Sequence, residues 1–137
     1  YNTECTNISS PLLYNDCLII GLGYPKTSVM AININTREKV WEVTTGQMVY
    51  SSPCIFDSFV YIGSNDGKLY AINANNGNVV WKKLLPKGMF YLSSPAVEDK
   101  VYCVPGYLNT NLYAFDKYTG AQAWAKGPRV KKGKRIA

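Results

Sequence analysis

A tryptophan recurs in this chain with the same companions each time. Ala31 precedes Trp41 by ten residues, Ala71 precedes Trp81 by ten, and Ala114 precedes Trp124 by ten. Two residues after each Ala stands Asn33, Asn73 or Asp116. Gly77 and Gly120 sit four residues before their Trp, where the first copy carries Arg37. A second marker fixes the period: Ser9-Ser10-Pro11, Ser51-Ser52-Pro53 and Ser93-Ser94-Pro95 follow one another at intervals of 42 residues. A period near 40 with strand-like content is that of a propeller blade, not of a helical solenoid.

The content is strand-like throughout. The second repeat reads SSPCIFD, SFVYIGS, NDGKLYAIN and NVVWKKLL, short runs rich in Val, Ile, Tyr and Trp bounded by turn residues. Asp66-Gly67, Asn76-Gly77 and Thr119-Gly120 supply the positive-φ positions that tight hairpin turns require. No window carries the 3.6-residue apolar period of an amphipathic helix. The expectation is an all-β chain of three four-stranded antiparallel blades. On the outer strand of each blade, Trp41, Trp81 and Trp124 are placed to pack between neighbouring blades. The small Ala permits close approach, and the Gly opens the turn.

The Ala-x-[Asn/Asp]-x-x-x-Gly-x-x-x-Trp element resembles the tryptophan-docking motif of the pyrroloquinoline-quinone-type β-propeller repeat. The resemblance runs over roughly residues 9 to 126 and departs from the pattern at Arg37. It implies docking roles for Ala31, Trp41, Ala71, Gly77, Trp81, Ala114, Gly120 and Trp124. It also implies blades at 9–50, 51–92 and 93–127, between an inter-blade segment at 1–8 and a tail at 128–137. The family includes quinoprotein alcohol dehydrogenases and non-enzymatic propellers, and its usual setting is periplasmic, cell-surface or secreted. Closed propellers have four to eight blades. Three are expected to form a segment of a longer propeller, or to close by association, two copies giving six blades.

The charge is concentrated at one end. Arg129, Lys131, Lys132, Lys134 and Arg135 crowd the tail; without them ten basic residues face nine acidic ones. Such a tail suits acidic lipid, nucleic acid or an acidic partner, or is a solvated arm. The solvated arm is the expectation, and no nucleic-acid partner is expected. Cys5, Cys17, Cys54 and Cys103 form no C-x-x-C pair, and the chain has no His. That spacing argues against zinc and against Cys-His chemistry, and leaves disulfides or plain buried thiols. Asn7-Ile8-Ser9 is a formal glycosylation sequon, a weak signal alone.

One face gathers the link between the second and third strands of each blade and the links between blades. The first and third of these loops are longer than the second and carry Tyr24 and Tyr107 at matching offsets. The inter-blade links add Met48, Tyr50, Met89, Phe90 and Tyr91. These side chains either present a patch to a partner or sugar, or plug the gap between inner strands. Quinoprotein enzymes of the family are recognised by an adjacent Cys-Cys pair, acidic calcium ligands, a catalytic Asp and a Trp floor. This chain has no Cys-Cys pair, and Asp16, Asp57 and Asp99 fall in turns. No catalytic, cofactor or metal site is therefore expected in this segment. The expected role is a non-catalytic protein-binding or assembly scaffold. The alternatives are a fragment of a quinone-dependent dehydrogenase, a ring- or fibre-forming structural subunit, and a luminal stress-sensor domain of the propeller-like kind.

Overall fold

The computed structural model describes residues 1–90, 93–106 and 108–127. In the first repeat the strands are β1 (Leu12–Tyr14), β2 (Cys17–Leu22), β3 (Ser28–Asn33) and β4 (Lys39–Thr44). The second supplies β5 (Cys54–Phe56), β6 (Phe59–Gly63), β7 (Lys68–Asn73) and β8 (Val79–Leu84). In the third lie β9 (Ala96–Val97), β10 (Val101–Cys103), β11 (Leu112–Phe115) and β12 (Gln122–Lys126). Each repeat is one four-stranded antiparallel sheet whose strands pair in chain order. The chain is all-β, as expected. Among the described residues no helix is long and apolar enough to cross a membrane.

Burial follows the position of each strand. β3 and β7 lie inside their sheets and are covered on both faces, so SVMAIN and KLYAIN are nearly continuous apolar runs. The joint between the first and second sheets buries Ile19, Val29, Ala31, Trp41 and Val43 against Val60, Ile62, Tyr70, Ile72 and Ala74. Tyr61, Leu69, Ala71 and the partly buried Trp81 meet Val101, Cys103, Tyr113 and Phe115 at the next joint.

The recurring sequence element builds these joints. Ala31, Ala71 and Ala114 pair directly with Trp41, Trp81 and Trp124, and the register slips by one residue just after each Ala. The Asn or Asp two positions on makes the following turn: Asn33 Oδ1 accepts the N–H groups of Asn35 and Thr36, and Asp116 Oδ1 those of Tyr118 and Thr119. At the fourth residue of each turn the backbone is left-handed, with φ 61° at Arg37, 78° at Gly77 and 75° at Gly120. Trp41 and Trp81 then each lie on the turn of the next sheet. Trp41 Nε1 donates to the Ala74 carbonyl at 2.9 Å, and Trp81 Nε1 to the Lys117 carbonyl at 3.2 Å. A Cβ added to Gly77 would stand 2.8 Å from Trp41 Cγ, and one on Gly120 would stand 2.6 Å from Trp81 Cδ2.

Exposure grades along the series. Trp41 is 7% exposed and Trp81 is intermediate, whereas Trp124 is 41% exposed and packs beside Tyr102. Among the described residues no further turn covers it.

The paired serines lie just ahead of the innermost strands, so the strand-like run SSPCIFD enters its sheet only at Cys54. The reason is their hydrogen bonding. Ser9 and Ser51 turn their hydroxyls onto the N–H groups of Gly21 and Gly63 in their own sheets. The second serine of each pair reaches the neighbouring sheet: Ser10 N–H donates to Ser52 Oγ at 2.8 Å, and Ser52 N–H to Ser94 Oγ at 2.9 Å. In the third repeat Val104 takes the glycine position, and Ser93 Oγ donates to its carbonyl instead.

Trp41→Ala is expected to lower the stability of this chain by about 3–5 kcal/mol, as for a buried aromatic, and Trp124→Ala by less than about 1 kcal/mol. Urea denaturation of the two variants checks this; equal losses would contradict the geometry.

Candidate interaction face

The β2–β3, β6–β7 and β10–β11 loops share one side of the sheets with the inter-sheet links. Thr45 N–H bonds to the Thr27 carbonyl, Val49 N–H to that of Leu22, and Asn65 N–H to that of Met48. The links are held there because glycines leave room for them. A Cβ on Gly21 would stand 2.5 Å from Val49 Cγ1, and one on Gly63 would stand 2.1 Å from Phe90 Cγ. Gly23 likewise makes room for the Tyr50 ring, since a Cβ there would stand 2.2 Å from Tyr50 Cε1.

The candidate side chains therefore divide. Phe90 and Tyr50 are buried and fill the gap between inner strands. Met48 and Met89 are half-buried, with the Tyr50 hydroxyl 3.1 Å from Met48 Sδ. Tyr24 is 69% exposed at the tip of the first long loop. Tyr91 and Tyr107 fall outside the described residues, as do Arg129, Lys131, Lys132, Lys134 and Arg135 of the tail.

Four residues of this face have roles that the sequence did not assign to them. Leu108 is 69% exposed on the third loop, next to the position that the matching offset had marked. Asn109 organises that loop, its Nδ2 donating to the Pro86 carbonyl at 2.7 Å and to Tyr113 Oη at 2.9 Å. In the β6–β7 turn, Asp66 Oδ2 accepts from the Gly46 N–H and the Tyr70 hydroxyl, clasping the link to its loop. The neighbouring Asn65 buries an Oδ1 that has no hydrogen-bond partner. Such an acceptor is costly unless a donor reaches it.

The titratable groups of the interior are held in their neutral forms. Burial pushes the Cys54 and Cys103 thiols up to about 12. Burial likewise raises Tyr61, and raises Tyr70 together with its bond to Asp66. Such thiols are poor nucleophiles at neutral pH. Among the described residues no cluster of three or more Cys, Asp or Glu is placed to hold a metal ion. Trp41 and Trp81 are occupied in the joints, so neither offers a stacking floor. These residues do not fit a calcium-bound quinone.

Three sheets of this order, joined by a tryptophan laid on each following turn, define a β-propeller repeat protein. The family profile described as outer membrane protein assembly factor BamB matches residues 25–134, and the chain belongs to that family. The fold is similar to that of BamB from Moraxella catarrhalis, with a TM-score of 0.72 and 21% identity over 92% of this chain and 38% of that one. It is equally similar to a quinohemoprotein alcohol dehydrogenase from Comamonas testosteroni, with a TM-score of 0.74 and 20% identity over 89% of this chain and 21% of that one. A serine/threonine-protein kinase/endoribonuclease IRE1 from Oryza sativa subsp. japonica is 34% identical over 53 residues, 39% of this chain and 6% of that protein. The chain thus spans well under half the length of each.

Two measurements test the interior. Cys54 and Cys103 should resist iodoacetamide at pH 8 in the native protein and react in urea, as read by mass spectrometry; rapid native labelling would refute their burial. Because the folded pKa of both thiols lies above the ordinary value near 9, the stability they contribute is complete below pH 9. It is lost as pH rises towards about 12, so the urea midpoint should fall across that window.

Proposed function

We propose that this chain is a segment of a non-catalytic β-propeller scaffold that binds another protein through its loop face. In this reading the Ala, Gly and Trp of each repeat act as a tryptophan-docking motif. The observation that carries it is the pair of exposed apolar side chains, Tyr24 and Leu108, at the tips of the two longer loops. They stand on loops that are tied down beneath: Thr6 N–H bonds to the Tyr24 carbonyl, and Asn109 clamps the other loop to Pro86. Rigid aromatic and aliphatic tips on a fixed frame lose little entropy on binding, which favours recognition. Protonated thiols and tyrosines in the interior support a role without acid–base or nucleophilic chemistry. Membership of the assembly-factor family supports a scaffold in a periplasmic, cell-surface or secreted setting.

A second reading is a sensor-type propeller-like domain, favoured by the 53-residue likeness to the rice kinase/endoribonuclease. The two share a binding role and differ in the protein to which the segment is attached.

Crosslinking mass spectrometry in the source organism tests the scaffold. Tyr24→Ser with Leu108→Ser should weaken partner crosslinks to the two long loops at least ten-fold while leaving the unfolding free energy from urea denaturation within about 0.5 kcal/mol of wild type. Undiminished crosslinks would remove the loop face from the interaction. Quinone-dependent alcohol oxidation by the purified protein would sink the non-catalytic reading.

A further inference from the structure

The three inter-strand turns are alike in backbone, and only the first carries a side chain at the left-handed position. In each, the N–H of the left-handed residue donates to the carbonyl four residues back: Arg37 to Asn33 at 2.8 Å, Gly77 to Asn73 at 2.8 Å and Gly120 to Asp116 at 2.9 Å. Gly77 and Gly120 carry a tryptophan from the preceding sheet, and neither has space for a Cβ beneath the ring. The atoms that such a Cβ would strike are Cγ, Cβ and Cδ2 of Trp41 and Cδ2, Cε3 and Cγ of Trp81. These lie on or beside the ring root, not at the end of a flexible chain, so the indole has no cheap way to yield. Arg37 brings a Cβ to that place, and a guanidinium beyond it.

On this side the first sheet repeats the apolar pattern of the second, with Tyr1, Thr3 and Cys5 of the N-terminal segment lying against it. Leu18, Ile20, Ile32 and Ile34 line an open recess of about 360 Å³ that Arg37 borders. They hold the positions of Val60, Ile62, Ile72 and Ala74, four residues that the second sheet buries against the first. At the far end, Trp124 stands 41% exposed with no turn upon it among the described residues. A second copy of the chain would therefore bring a ready tryptophan to an apolar flank of matching pattern. At the turn the match fails, because Arg37 stands where the seat has glycine in the other two repeats.

We propose that Arg37 is a specificity residue that bars a tryptophan from the leading flank of the first sheet, so that Trp124 of a second copy cannot seat there. The two flanks of the chain are thereby made non-complementary, and the two-copy, six-bladed ring, one of the two closures that three repeats allow, is barred at this turn. Glycine at this position would carry the same left-handed backbone with less steric strain and would open the seat. This inference goes beyond the scaffold reading and does not depend on it.

Light scattering of the 137-residue chain across a range of concentrations tests the proposal, using wild type, Arg37→Gly and Arg37→Gly/Trp124→Ala. The position is exposed, so the single variant should fold. The expected result is a wild-type mass that stays constant where the Arg37→Gly mass at least doubles, with the double variant returning to the wild-type mass. The tryptophan emission of Arg37→Gly should shift to the blue over the same concentrations. An Arg37→Gly mass identical to wild type throughout would overturn the proposal. So would an Arg37→Gly particle that survives Trp124→Ala, or a wild-type particle that Trp124→Ala dissolves.

Discussion

Everything in this fold depends on an indole lying flat on a glycine of the next sheet. A blade alone is a four-stranded sheet with two apolar faces, and neither can be buried from within. The tryptophan fastens one face to its neighbour at the rim, far from the axis, and its N–H satisfies a carbonyl that the turn leaves free. At the axis the serine bonds fasten the other end. Between these two lines of attachment the apolar side chains of each joint are closed off from water.

The loop face inherits its order from the same frame. The inter-sheet links pass close to the inner strands because Gly21 and Gly63 have no side chain, and Val49 and Phe90 occupy the space. Once these residues are buried, what remains at the surface is decided by loop length. The short β6–β7 turn is spent on clasping the link through Asp66, whereas the two longer loops project Tyr24 and Leu108.

Much of this was legible in the sequence, because a repeat displays its constraints more than once. The period, the strand content and the turn glycines each follow from local rules, and the sheets formed as those rules require. The interaction face was harder to read. Tyr24, Tyr50 and Phe90 look alike as letters, and what distinguishes them is whether a glycine on another strand lies opposite. Phe90 faces Gly63 and disappears into the core; Tyr24 faces none and stays out. Asn65 gave no signal at all, since an unpartnered acceptor is a property of its surroundings. The run SSPCIFD does not show where its strand begins, because the serines that bond between sheets sit ahead of the strand, where their backbone is free of the ladder.

The division of each joint between two repeats has a consequence for how such a chain can lengthen. One period carries a tryptophan for the blade that follows and a seat for the blade that precedes. A duplicated second or third repeat therefore arrives with both halves of the fit and can be spliced in after any other blade. The first repeat obeys a different grammar. With Arg37 in its turn it can be followed but not preceded by a tryptophan-bearing copy, so tandem duplication of it would create a junction that does not close.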